Sequence, residues 1–288
     1  MAKSPAHRFG QIIGYYFESA IEKFLRDAFP DGGPYYIDRD GNRPARGTKK
    51  SVKWLDDKGN EHKLDYVVEK GGTPHNIGEL AGIIEIAWRS YTKHSKNKVQ
   101  EIEGAVTPIS RKYALNRPFK GAILAGEFTS PSLDQLRSHN FTVIYFDKAE
   151  LAPVFLKFGI DILIKEGADD SIAQAQIDAY DKLSDVQRAQ LASDLNSQMR
   201  NKMLSFVEDL KAHLLPSIQK IYIAHNYSQA FTFLNASDAI DHLKSAGISR
   251  SDLEFSDYLI IIEFTTCTRI EIRAKTQSEA IGHLERYL

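Results

Sequence analysis

Apolar side chains recur at helical spacing at Ile12, Tyr16, Ile21 and Leu25, which predicts a helix across residues 8–28. Phe29-Pro30-Asp31-Gly32-Gly33 stops it with breakers. Two extended runs follow, Ser51–Leu55 and Lys63–Glu69, on either side of the polar turn Asp56-Asp57-Lys58-Gly59-Asn60. Together they read as a β-hairpin that Gly71-Gly72 closes. Gly82–Trp88 forms a third strand, apolar on both faces except for Glu85, the pattern of a central, buried strand. Val99, Ile102, Val106 and Ile109 then recur every three or four positions and predict a helix from about Ser95. Beyond it come a fourth strand, Lys120–Gly126, a helix, Ser132–Ser138, a fifth strand, Phe141–Phe146, and helical sequence over Lys148–Ile164.

This order predicts an α/β domain built on a mixed central sheet flanked by helices. A polar helical stretch runs from Ser171 to Leu215, broken near Lys182-Leu183, with Ser184 placed to cap its second part and Pro216 to end it. The C-terminal residues contain a weak internal repeat, in which Asn235–Lys244 matches Thr276–Glu285 at an offset of 41. Each copy follows two strand-like runs: Lys220–Ala224 with Ala230–Leu234, and Tyr258–Phe264 with Arg269–Ala274. The natural reading is an α+β domain of duplicated β-β-α units. Helix capping and core packing explain the shared Ser-(Asp/Glu)-Ala-Ile-x-His-Leu, so His242 and His283 are assigned no chemistry. The expected division is a main domain at 1–170, a helical connector at 171–216 and the repeat domain at 217–288.

Composition narrows the function classes. Hydrophobic residues make up 42% of the 288, enough for a substantial core. No run approaches the ~18 consecutive apolar residues of a membrane span. MAKSPAHRFGQ at the N-terminus lacks the apolar stretch of a signal peptide. Cys267 is the only cysteine, which excludes an internal disulfide or a CxxC zinc site and fits a reducing cytoplasm. A net charge of -1 makes no global case for a polyanionic partner, but its distribution does. Between Arg43 and Lys98 there are 12 Lys+Arg against 7 Asp+Glu, a local net of +5. The cations gather in the loop Arg43–Lys50 and in the acid-free segment Arg89–Lys98. Such runs are either solvated faces or phosphate-binding surfaces.

The few acids between these clusters tip the balance. Asp65 interrupts the run Leu64-Asp-Tyr-Val-Val68, and Glu85 interrupts Ile83-Ile-Glu-Ile-Ala87. Each is costly if buried unpaired. Two acids on adjacent strands need a compensating cation, either an Arg or Lys partner or a divalent metal. Oxygen-only ligation with no cysteine suits Mg²⁺, with Mn²⁺ able to substitute.

Asp65, then Glu85 twenty residues later on an Ile-rich strand, followed by a basic helix, resembles the PD-(D/E)xK nuclease superfamily. The helix–three-strand–helix–strand order resembles its core, and Arg8–Glu18 resembles its acid-bearing first helix. The segment from Glu85 to Ile102 is further similar to a group of bacterial Type II restriction enzymes. The resemblance spans roughly residues 8–165. It implies a restriction-endonuclease-like core and Mg²⁺-dependent hydrolysis of phosphodiester bonds in double-stranded DNA, cut at a specific site by a homodimer. Asp65, Glu85 and the Ile86 carbonyl would be the metal ligands, and Glu18 would complete the site directly or through water. Arg43, Arg46, Lys49 and Lys50 in the basic loop would contact DNA, as would Arg89, Lys93, His94, Asn97 and Gln100. The repeat domain would serve dimerisation or DNA specificity.

The chain departs from the family pattern at two positions. Leu64 stands where a proline precedes the first acid, and Ala87 stands where the motif lysine belongs. An alanine cannot orient a water or carry charge. The lysine has relocated, the site is degenerate, or it was deliberately inactivated; relocation to Lys96 or Lys98 is favoured, because both follow within a turn or two of the strand end. Two other nucleic-acid readings stand beside the restriction enzyme: a repair or junction nuclease, and a non-catalytic DNA-binding module on a degenerate nuclease scaffold. A third alternative is a structural protein whose acids are paired with Arg89 and Lys70.

Overall fold

The computed structural model describes residues 4–92, 95–215, 217–225, 230–245, 257–265 and 268–288. Helix α1 (Pro5–Ala28) starts where Ser4 accepts a hydrogen bond from the His7 N–H and Pro5 pre-sets the first turn. It ends at Phe29, whose N–H donates to the Leu25 carbonyl. Tyr16, Ile21 and Leu25 are buried as the periodicity requires, with Ile13 and Phe17 beside them.

After α1 come β1 (Tyr35–Arg39), the short strands β2 (Lys53–Leu55) and β3 (Glu61–Lys63), then β4 (Tyr66–Lys70) and β5 (Glu79–Arg89). The hairpin expected over residues 51–69 is corrected here. Only β2 and β3 pair with each other, with Trp54 opposite His62. The chain breaks at Leu64-Asp65, and β4 joins a different sheet, between β1 and β5. The reason is burial. Tyr66, Val67, Val68 and Glu69 are all buried, and a two-stranded ribbon has no core to cover both of their faces. Strand β1 is an addition to the expected set.

Helix α2 (Ser95–Lys112) leads to β6 (Phe119–Gly126), α3 (Ser130–Ser138), β7 (Thr142–Asp147) and α4 (Lys148–Leu156). The central sheet has the order β1-β4-β5-β6-β7. Its β1/β4 and β4/β5 pairs are antiparallel and its β5/β6 and β6/β7 pairs parallel, so this is a mixed sheet flanked by helices. On one face Val67, Ile83, Ala87, Ala122 and Leu124 pack with Val99, Ile102, Val106 and Ile109 of α2 and with Leu133 and Leu136 of α3. On the other, Phe17 of α1 meets Phe146 edge-on at 5.8 Å. The helix expected through Ile164 stops at Leu156, because Gly159 takes a left-handed φ of 73° and the chain beyond it is not helical.

Helices α5 (Asp170–Asp181) and α6 (Asp185–Leu214) break where expected. Ser184 caps α6 reciprocally, its Oγ accepting from the Gln187 N–H and its own N–H donating to Gln187 Oε1. They differ from a connector in their packing. Tyr180 of α5 meets Tyr16 at 6.0 Å, and Phe206 of α6 meets Phe119 at 5.5 Å. Phe206 also lies over Gly121, where an added Cβ would come within 2.6 Å of its ring. The chain divides into two compact units, residues 1–209 and 210–288, so the division falls within α6 and not at residue 170.

The second unit carries β8 (Ile218–His225), β9 (Phe231–Phe233), α7 (Ala236–Ser245), β10 (Tyr258–Phe264), β11 (Arg269–Ala274) and α8 (Gln277–Leu284). Its antiparallel sheet has the order β11-β10-β8-β9, so the β8–β10 pairing joins the two β-β-α copies at its centre. Ile221 lies opposite Ile262 and Ile223 opposite Ile260, over a core completed by Ile240, Leu243 and Leu284. The helix caps are Asn235 and Thr276, two residues ahead of the repeat's shared serines. Among the described residues no helix is long and apolar enough to cross a membrane.

Candidate active site

Asp65 sits in the break between β3 and β4, one step beyond the Tyr66–Ile84 pairing, so it faces Glu85 of β5. Two hydrogen bonds tie them reciprocally. The Asp65 N–H donates to Glu85 Oε1 at 3.3 Å, and Asp65 Oδ2 accepts from the Ile86 N–H at 2.8 Å. Glu85 is 5% exposed. Burial, and then repulsion from Asp65, push its carboxyl up to about 8, against the pull of Lys98. Among the described residues no Lys, Arg or His forms an ion pair with either carboxylate; nearby Lys63 pairs with Asp40 and Lys98 approaches Glu101. Glu85 is thus buried against a half-buried Asp65 to which it is hydrogen-bonded, and among the described residues the two oxygen donors have no ion-pair partner.

A cleft of about 810 Å³ opens onto Asp65. Asp65 and Ile86 lie at its base, two adjacent rows of α1 form one wall, and the end of β5 with the start of α2 forms the other. Glu18 lines it from α1. Although that side chain reaches solvent, the protein packed around it and then Asp65 raise its proton affinity, while Arg39 and Lys63 lower it.

Of the two lysine candidates, the structure brings only Lys98 to the cleft. It is half-buried in the first turn of α2, and its charge acts on Glu85. Lys96 is exposed and does not line the cleft. Ala87 is buried in the cluster that joins β5 to α2. Arg89 and Asn97 line the cleft, and Arg89 Nη1 donates to the Trp88 carbonyl at 3.0 Å. Lys49, Lys50 and Gln100 are exposed away from it. Lys93 and His94 lie outside the described residues.

Two expected DNA contacts are corrected. Arg43 is 2% exposed, and its guanidinium forks onto Glu69 at 2.7 and 2.8 Å. It also reaches Asp38 at 2.8 Å and the carbonyls of Thr73 and Asn76. Arg46 pairs with Asp38 at 3.3 Å and donates to the carbonyls of Arg39, Gly41 and Lys50. Both arginines neutralise acids buried in β1 and β4 and knit the loop to the sheet, so neither is available to a phosphate. The pairing of the site acids with Arg89 and Lys70 is not observed either. Lys70 stands at the far end of β4, opposite Glu79.

The sequence reading missed Lys63, whose charge reaches both Asp65 and Glu18. It also missed Tyr15, Tyr91 and the glycines of α1, which line the cleft. Only the placement of Lys63 two residues before Asp65 hinted at any of these.

Among the described residues no group of three or more His, Cys, Asp or Glu side chains converges as a metal site. A cation here would rest on two carboxylates and backbone or water oxygens. That all-oxygen donor set, with no ion-pair partner among the described residues, fits a hard divalent ion. No protein-family model, curated protein or solved structure matches the chain.

Proposed function

We propose that the protein is a Mg²⁺-dependent endodeoxyribonuclease with a restriction-endonuclease-like core, acting on double-stranded DNA as a Type II restriction enzyme and as a homodimer. The observation that carries this reading is the Asp65–Glu85 pair: half-buried Asp65 lies at the base of the cleft with Glu85 buried against it, and among the described residues no Lys, Arg or His makes an ion pair with either. Asp65 and Glu85, with the Ile86 carbonyl, would hold Mg²⁺ or Mn²⁺. Bound there, the ion supplies Lewis-acid polarisation of a phosphoryl oxygen and a lowered pKa for a bound water.

The protein's own residues have the remaining roles. Lys98 orients the attacking water and offsets charge on the phosphoryl group, standing in for the lysine absent at Ala87. Glu18 accepts a hydrogen bond from that water or from one beside it. Arg89 and Asn97 position the scissile strand through its phosphates, while Lys49 and Lys50 add contacts that salt weakens. A second reading, a binding module without cleavage, is favoured by Ala87 alone.

Supercoiled plasmid incubated with Mg²⁺, with EDTA as control, separates the two. Nicked or linear product that disappears in EDTA and with Asp65→Asn supports the nuclease. DNA binding without cleavage supports the module.

A further inference from the structure

Strand β11 is an outer edge of the C-terminal sheet: in the order β11-β10-β8-β9, no strand among the described residues pairs with its far side. Edge strands present a row of unmatched N–H and C=O groups, and folds blunt them by shortness, proline or a bulge. The opposite edge, β9, has only three residues. β11 has six, contains no Pro or Gly, and pairs with β10 along its whole length without a bulge. Its side chains alternate between the two faces of the sheet. Arg269, Glu271 and Arg273 share one face, with side chains 55%, 49% and 68% exposed. Ile270 and Ile272 lie on the core side but are only half-buried, whereas Ile262 and Ile260 opposite them on β10 are fully buried. The apolar layer therefore runs out to the edge and stops there unfinished.

We propose that β11 docks a second copy of this chain, pairing antiparallel with the partner's β11 across a two-fold axis at Ile272 so that the two sheets join into one. The inference rests on the homodimer of the nuclease reading and supplies the surface that reading lacks. The charge order selects both occupant and register. In a two-fold contact residue i meets j and j meets i. About Ile272, Arg273 lies opposite the partner's Glu271 and Glu271 opposite the partner's Arg273, and opposite charges facing each other across two strands attract. Ile272 meets its own copy, and Ile270 meets the partner's Ala274, which continues the apolar layer across the junction. Centred on Glu271, the same strands would set Arg269 against the partner's Arg273 and glutamate against glutamate. Centred on Ile270, they would pair three residues of the strand, against five about Ile272. Strand addition of this kind takes its affinity from main-chain hydrogen bonds and its specificity from alternate side chains.

The test is light scattering on the full chain after size exclusion, with the melting temperature of every variant measured alongside. The parent should be a dimer. Glu271→Arg and Arg273→Glu each set like charges opposite one another at both symmetry-related positions, and each alone should self-associate at least about tenfold more weakly. Either variant by itself reads the loss of the dimer. Mixed in equal amounts they should dimerise again, because every contact then joins unlike charges. Arg269→Glu changes the net charge as Arg273→Glu does but meets the partner's Lys275, so it should stay dimeric. The ion pairs within β11 are exposed and contribute little, so all three variants should melt close to the parent. Three results overturn this interface and leave the nuclease and its homodimer standing: a parent dimer that neither Glu271→Arg nor Arg273→Glu weakens, one that Arg269→Glu weakens instead, or single variants that stay monomeric when mixed. A monomeric parent overturns both the interface and the homodimer, while cleavage is decided separately by the plasmid assay.

Discussion

Glu85 holds its proton to higher pH than an exposed glutamate does, because burial and Asp65 both oppose its charge. The unfolded chain releases that proton near the ordinary 4.5 and the folded chain near 8. Between these values the folded state binds more protons, so this residue's contribution to stability falls as pH rises. In EDTA, Glu85→Gln should therefore melt above the parent at pH above 8 and lose that advantage toward pH 4.5. A shift of the same sign and size across the whole range would contradict this account of the site. The lysines are separable at the same scale. Lys98→Ala should slow cleavage by about 10²–10³, the usual effect of losing one preorganised electrostatic partner. Lys96→Ala, exposed and outside the cleft, should cut within a few-fold of the parent in the same nicking assay.

The elements were legible where a local period carries them, as in α1, α2 and β5. They were illegible where burial by distant chain decides. Tyr66-Val67-Val68 reads equally well as half of a hairpin or as an inner strand, and only the presence of β1 and β5 on either side selects the second. Asp65 is expected from the sequence as a site acid, and its place in a break between strands depends on that same choice. Arg43 looked like a phosphate contact because its sequence neighbours are basic; its actual neighbours, Asp38 and Glu69, come from β1 and β4. Removing its charge should expose the difference. Arg43→Met leaves buried Glu69 without its cation and Asp38 with Arg46 alone, and should lose about 3–5 kcal/mol of stability by urea unfolding. A surface phosphate contact would lose almost none.

At the scale of the molecule, the α/β class, the mixed sheet and the duplicated β-β-α unit all follow from element order and an internal repeat. The extent of the first unit does not, since α5 and α6 look polar yet bury Ile177, Leu191, Met199 and Phe206. Charge also distributes differently from the linear count. With Arg43 and Arg46 engaged internally, the basic region has fewer cations to offer the proposed DNA contacts than its net +5 suggests. The salt dependence of binding should reflect this. Replacing Lys49 or Lys50 by Ala should flatten the slope of log K against log salt by about 0.9 each. Arg46→Met should leave the slope unchanged in whatever fraction remains folded. A loss of slope with Arg46→Met would return that residue to the DNA surface.

The central claim is that Asp65 and Glu85 form a divalent-cation site. It is tested most directly by calorimetric titration of Mg²⁺ into the parent and into Glu85→Gln at pH 8, with no DNA present. The account predicts saturable binding to the parent, with protons released as Glu85 ionises, and its loss in the variant. Equal binding to both proteins, or none to either, would contradict it.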